Sequence, residues 1–454
     1  MEAWFIILVS ACMCVVLRAI FSLRTKTISI PPGPLHIPII TSIICVRKSF
    51  DQLESLLRTL HAKFGPIVTL RIGSNSSIFI ADRTLAHQAL FQNGSLFSDR
   101  PKARAVSKIV NNNQHTITTA SYGQTWRTLR RNLTSEMLHH SRVKSFSGIR
   151  KWVLHTLLTR LKSDSQSNDS VRVVDHFHHA MFCLLIFMCF GERLDDGKEL
   201  LRFRKELEDV LGPLIRARKQ KRKQAKEEGV VSYVDTLLDL QLPKEKRNLD
   251  EGEIVTLCNE FLTGGTDTTS TMLQWIMANL VKYPHVQERL VDETREVLGE
   301  RVEREVKEED LDKLPCLKAV ILEGLRRHPP GHLVLPHAVT EDVVFNDYLV
   351  PKKGTVNFMV AEMGWDPKVW EDPMAFKPER FMNDEGFDIT GSKEIKRMPF
   401  GAGRRICPVY NLALLHLGYF VANLVWNLEW KVPEGGKVDL SEKQEFTVVM
   451  KNAL

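Results

Sequence analysis

One stretch limits the possible folds of this chain more than any other. Asp250 and Glu253 have the residue types and spacing of a capping box that starts a helix, and Tyr283-Pro284 supplies the next stop signal. No proline interrupts the run between them. The pattern predicts a single helix over roughly Asp250 to Lys282. At about 1.5 Å per residue it is about 50 Å long, enough to cross a whole domain. Its middle reads Gly264-Gly-Thr-Asp-Thr-Thr269. Glycine and threonine are weak helix formers, so a local kink with room for a ligand is expected there. A hydroxyl-rich packing seam between helices would explain the same residues.

The chain has 454 residues, enough for a large core. Hydrophobic residues make up 43% and charged residues 26%, which excludes a disordered or fibrous protein. Lys and Arg total 62 against 55 Asp and Glu, and the resulting +7 is modest for this length and does not indicate a nucleic-acid partner. The basic run Arg216 to Lys226 follows Phe203, Leu207, Leu211 and Leu214 at helical spacing. It reads as an amphipathic helix ending in a solvated basic turn that suits the helix dipole. The eight cysteines include no C-x-x-C pair, so zinc ribbons, redox pairs and a disulfide scaffold find no support. Most of the chain therefore reads as facing a reducing compartment.

Ala3 to Leu23 is a 21-residue apolar stretch with one charge, Arg18. That length suits a membrane-spanning helix, and the Met1-Glu2 start lacks the basic flank of a cleaved signal peptide. Arg24 and Lys26 follow directly, and positive flanks stay in the cytosol. Pro31-Pro-Gly-Pro34 and Pro38 then form a stiff connector. The expected organisation is a transmembrane anchor at 1–23, a basic and Pro-rich hinge at 24–48, and one domain at 49–454. That domain reads as mostly α with small β-sheets (α+β). Ile67 to Ile72 and Ser77 to Ala81 look like paired strands, as do Val343 to Phe345 and Tyr348 to Val350 around Asn346-Asp347.

Phe400-Gly-Ala-Gly-Arg-Arg-Ile-Cys-Pro408 places one cysteine in a Gly- and Arg-rich loop before an apolar helical stretch, about Leu412 to Trp426. Glycines allow close backbone approach to a flat ligand. A helix N-terminus and nearby Arg favour the thiolate, and a thiolate-ligated haem is pushed toward O–O cleavage. These residues resemble the haem loop of the cytochrome P450 family. The resemblance implies the P450 fold, haem b held by Cys407 as axial metal ligand, and Phe400, Gly403 and Arg405 beside it. It extends to Trp126-Arg-Thr-Leu-Arg130, which implies Trp126 and Arg130 against the haem propionates, and to His337, at a position where relatives carry Arg or His. It implies that Asp267 and Thr268 lie over the haem and relay protons to oxygen. Glu323-Gly-Leu-Arg326 taken alone is an ordinary surface pair. Together with Phe376-Lys-Pro-Glu-Arg-Phe381 it resembles the family's structural triad of Glu323, Arg326 and Arg380.

The motifs are similar to those of the plant A-type branch, with closest character to its family 89, subfamily A. The implied function is a monooxygenase on the cytosolic side of the endoplasmic reticulum membrane, acting on a hydrophobic small molecule. NADPH electrons would arrive through a flavoprotein reductase, since the chain has no nucleotide-binding Gly loop of its own. Three departures stand out. Only 58 residues, Glu192 to Leu249, occupy the place of two lid helices and their loop. Val409 and Asn411 replace expected glycines, and Trp365 replaces an expected arginine. A catalytically impaired or non-enzymatic P450-like membrane protein is the alternative that the short lid and Val409 leave open.

Overall fold

A computed structural model of the chain describes residues 13, 29–34, 49–72, 75–102, 115–167, 170–193, 207–224, 230–243, 245–301, 304–352, 354–382, 388–433 and 435–454. The expected anchor and hinge, apart from Met13 and residues 29–34, lie outside the described residues.

Among the described residues, the helices of nine residues or more are α1 (Phe50–Phe64), α2 (Gln124–Asn132), α3 (Ser147–Ser167), α4 (Val173–Phe190), α5 (Leu207–Gln224), α6 (Glu251–Lys282), α7 (Pro284–Leu298), α8 (Pro315–Arg327) and α9 (Tyr410–Asn427). The capping box predicted for α6 is present. Glu253 N–H donates to Asp250 Oδ1 at 2.8 Å, and Asp250 N–H donates to Glu253 Oε2 at 2.9 Å. The 32-residue helix stays α-helical through Gly264 to Thr269, so its weak formers do not interrupt it. There Thr268 and Ser270 hydroxyls turn back onto the Gly264 and Thr266 carbonyls, at 2.6 and 2.8 Å. The helix packs along α4 and against α5, α8 and α9, which makes it the axis of the helical core.

The strands are β1 (Ile67–Ile72), β2 (Asn75–Ile80), β3 (Gln241–Leu242), β4 (Arg247–Asn248), β5 (His337–Ala338), β6 (Val343–Phe345), β7 (Tyr348–Val350), β8 (Thr355–Phe358), β9 (Glu442–Gln444) and β10 (Val448–Met450). A four-stranded sheet has the order β1-β2-β8-β5, with β2 and β8 parallel and Ile78 opposite Val356. The β6–β7 hairpin turns on Asn346 (φ 49°) and Asp347 (φ 63°), residue types that tolerate the left-handed region a tight hairpin needs. One face of the sheet packs on a second apolar cluster that includes Leu90, Phe97 and Ala402. This brings the sheet up to the Cys407 loop.

α4 is apolar and long enough to cross a membrane, yet it is mostly buried against α6 and α3, as a core helix is. It ends on Gly191 in the left-handed conformation (φ 74°). Between that point and α6, the described residues hold α5, a six-residue helix Tyr233–Leu238 and the β3–β4 hairpin. The basic run on α5 is matched by acids of the same chain. Arg216 pairs with Glu251 at 2.6 Å, Arg218 with Asp235 at 2.6 Å and Lys221 with Glu192 at 2.5 Å, while Arg222 pairs with Asp239. Cys183, Cys189, Cys258, Cys316 and Cys407 are all free thiols.

Candidate active site

Cys407 stands just before α9. Its N–H donates to Phe400 O at 2.9 Å, and Ile406 N–H donates to Gly403 O at 3.2 Å, which folds the loop back on itself. Gly401 and Gly403 both have left-handed backbones, φ +70° and +68°. A Cβ on Gly403 would lie 2.3 Å from Leu90 O, so both conformation and space demand glycine there. Burial pushes the Cys407 thiol above its ordinary pKa, while the Val409 N–H and the Arg130 guanidinium pull the other way. The thiol is thus kept neutral beside two groups suited to a thiolate, which a metal cation would produce on binding.

Arg405 is surrounded by carbonyls. It donates to Ser98 O at 2.8 Å, Ala120 O at 2.6 Å and Ile117 O at 3.3 Å. It also sits over the Trp126 ring, 4.4 Å from the centroid, and the indole N–H shares the Ile117 carbonyl at 3.1 Å. Arg100 donates to Thr118 O at 2.7 Å and to Leu335 O and Pro336 O at 2.8 and 2.9 Å. Burial lowers Arg405 to about 9, helped by the like charges of Arg100 and Arg130 and opposed by Asp99. Burial lowers Arg100 to about 10, against the pull of Glu260 and Asp99. Arg130 is also lowered by burial, with Cys407 pulling the other way. Three guanidinium groups crowded under partial burial fit an added anion, and carboxylates match their planar donors. The propionates of the haem implied by the Cys407 loop would fit there.

His337 is buried on β5. Its Nδ1 lies 2.7 Å from Phe97 O, so Nδ1 carries the proton. Burial, aided by Arg100, pushes its pKa down to about 3. In the neutral ring Nε2 can only accept, so His337 donates to a carboxylate only after protonation. On α6, Asp267 Oδ1 lies 3.0 Å from His178 Nε2 of α4, and Thr268 Oγ1 donates to Gly264 O. Both are partly exposed.

A sequence profile described as Cytochrome P450 matches residues 31–211 and 195–454, which together take in most of the chain. The chain is a cytochrome P450. Cytochrome P450 89A9 of Arabidopsis thaliana is 48% identical to it over 499 residues, covering 99% of this chain and 96% of that protein. The 5-epiaristolochene 1,3-dihydroxylase of Nicotiana tabacum is 30% identical, covering 95% and 93%. A zebra fish cytochrome P450 solved with progesterone shares the fold, with TM-score 0.74 at 22% identity over 88% of this chain and 97% of that one. This P450 is therefore a plant 89A-like oxidoreductase of the monooxygenase class, a family that works with a thiolate-ligated haem.

The charge triad of this P450 is assembled. Arg326 Nε and Nη2 each meet the Glu323 carboxylate at 2.7 Å, and Lys377 N–H adds a third donor at 2.8 Å. Arg380 Nε approaches Glu323 at 3.4 Å, close enough for ion pairing without the alignment of a hydrogen bond. Arg326 also donates to the carbonyls of Gly364, Pro373 and Ala375, which ties α8 to the segment before the Cys407 loop. Arg397 is a further cation facing Glu323, stacked over Phe381 at 4.9 Å.

Two of the departures have a structural explanation. Val409 has φ −100° and ψ 16°, a backbone open to any residue, and its side chain packs on the helical core. Trp365 donates to Arg327 O at 3.0 Å, and its ring lies 5.5 Å from the guanidinium carbons of both Arg58 and Arg327. An indole there accommodates two cations that an arginine would repel. Sequence reasoning missed Arg100, Arg397, His178 and Glu260. The heptad spacing of Glu253, Glu260 and Asp267 was the one signal available for Glu260. The others are defined by partners far away in sequence.

Proposed function

We propose that this P450 is a membrane-anchored haem-thiolate monooxygenase that inserts one atom of O2 into a hydrophobic small molecule. The carrying observation is the folded loop that holds Cys407 at the head of α9, with its N–H on Phe400 O and the Val409 N–H and Arg130 beside the sulfur. Cys407 would hold the iron of haem b as a thiolate. Gly403 admits the loop to its place, and Phe400 packs beside Tyr410 at 6.2 Å between centroids. Arg130, Arg405 and Trp126 would hold the propionates, with His337 beside Arg100 and Arg405 as a neutral ring fixed by the Phe97 carbonyl. Haem supplies the activation of O2, an electronic task that the protein's own groups cannot perform.

Asp267 and Thr268 handle protons. The Asp267 carboxylate takes up and releases a proton at Oδ1, with His178 Nε2 as its neighbour, and the Thr268 hydroxyl passes one on from Oγ1. Glu323, Arg326 and Arg380 brace the thiolate side. NADPH electrons arrive through a separate flavoprotein reductase. Residues 1–23 anchor the chain in the endoplasmic reticulum membrane, 24–48 form the hinge, and 49–454 face the cytosol as the catalytic domain. The lid is shortened. In support, the 89A9 alignment spans more positions than this chain has residues, and the two profile matches overlap at 195–211. A hydrophobic substrate agrees with relatives named for 5-epiaristolochene and geraniol.

The test uses the full chain co-expressed with a plant reductase in microsomes. NADPH oxidation and substrate oxygenation should require the reductase and O2, and should vanish in Cys407→Ser. Oxygenation that persists in the variant would refute the assignment.

A further inference from the structure

Glu260 lies on α6, two helical turns after Glu253 and two before Asp267, so the three acids share one stripe of the helix. Its carboxylate accepts the Ile117 N–H at 2.9 Å and the Thr118 N–H at 2.7 Å, and the Thr118 hydroxyl donates to it as well. Glu253 meets His115 at 2.8 Å at the start of the same segment. The carbonyls of this segment face the opposite way. Ile117 O receives both Trp126 and Arg405, Thr118 O receives Arg100, and Ala120 O receives Arg405.

The Thr118 N–H and the Ile117 C=O belong to one peptide unit. A carboxylate polarises it from one end, and a guanidinium and an indole N–H polarise it from the other. Hydrogen bonds in such a chain strengthen each other, and those to charged groups are the strong ones. A glutamine in place of Glu260 has one acceptor oxygen and would point an NH2 group at a backbone donor. We propose that Glu260 is a positioning residue for the haem: it fixes the Ile117–Ala120 backbone, and through it the Trp126–Arg405 pair and Arg100. This rests on the reading that Trp126 and Arg405 hold the propionates.

The test compares full-length, haem-loaded wild type with Glu260→Gln and Arg405→Leu. Two quantities are followed: hydrogen exchange of the backbone amides, and the rate of haem transfer to excess apomyoglobin. Glu260→Gln should expose the Ile117 and Thr118 amides, leave α9 protected, and speed haem transfer about tenfold, the equivalent of one charge-assisted hydrogen bond. Unchanged transfer in Glu260→Gln with faster transfer in Arg405→Leu would overturn the role of Glu260 while leaving the site reading in place. Unchanged transfer in both would overturn both. Exchange that rises throughout α6 and α9 would make Glu260 a general stabiliser and overturn the proposal. If Glu260→Gln fails to load haem, Thr118→Val decides the matter. Losing one of its donors should speed transfer about threefold, and an unchanged rate would overturn the proposal.

Discussion

Arg326 and Glu323 face each other through two hydrogen bonds of 2.7 Å, with neither side chain exposed to solvent. They are one helical turn apart on α8, so the helix itself sets the pairing. The remaining donors of Arg326 reach three carbonyls on the chain that leads to the Cys407 loop. A buried ion pair adds little net stability over an apolar pair, yet losing one partner leaves an uncompensated charge. This pair therefore joins the helical core to the segment that leads into the Cys407 loop.

Removing Glu323 should be far more harmful than removing Arg380. Glu323→Ala leaves Arg326 without its carboxylate and should cost about 3–5 kcal/mol. Arg380 makes no aligned hydrogen bond to Glu323, which keeps both of its bonds to Arg326 without it, so Arg380→Ala should cost about 1 kcal/mol. Urea unfolding followed by tryptophan fluorescence gives both values. Equal losses would contradict the geometry.

Stability should fall as pH drops from about 6.5 toward 3. His416 and His337 are buried and neutral, with pKa values pushed down to about 3, and His328 to about 4, in each case chiefly by burial. Below 6.5 the unfolded chain binds these protons and the folded chain does not, so each histidine adds a slope of up to about 1.4 kcal/mol per pH unit. His416 Nε2 also has no hydrogen-bond partner among the described residues. His416→Leu should raise stability by about 1 kcal/mol at pH 7.5 and flatten the acid slope. Unfolding curves at pH 7.5, 6 and 5 check this, and a loss of stability at pH 7.5 would count against it.

Val409→Gly should bring no gain. The backbone at Val409 needs no left-handed freedom, and the N–H that serves Cys407 is present in any non-proline residue. Glycine would remove a packed side chain and add unfolded-state freedom, a loss of about 1–2 kcal/mol. Haem content per chain and thermal midpoint measure it. A rise in haem content would mean that the valine obstructs the site.

Local chemistry made much of this P450 readable before any coordinates. The box at Asp250 and Glu253, the stop at Pro284 and the Asn346-Asp347 turn each act within a few residues, and each appears as expected. The glycine at 403 was expected on general grounds, but its reason, the nearby Leu90 carbonyl, is a long-range contact. Long-range partners were not readable. β2 pairs with β8 across more than half the chain, and the acceptors of Arg405 are carbonyls, which carry no residue signature. Arg100 follows an ordinary Asp and announces itself only by burial against Arg405. His337 was expected beside the haem, and its hydrogen bond to the Phe97 carbonyl had no signal in the sequence.

The central claim is that Cys407 binds the haem iron as a thiolate, and the reduced, carbon-monoxide-bound absorption spectrum of the expressed protein tests it most directly. A strongly red-shifted Soret band in wild type, absent in Cys407→Ser, is the predicted result. An unshifted band in wild type, or no haem signal at all, would contradict it.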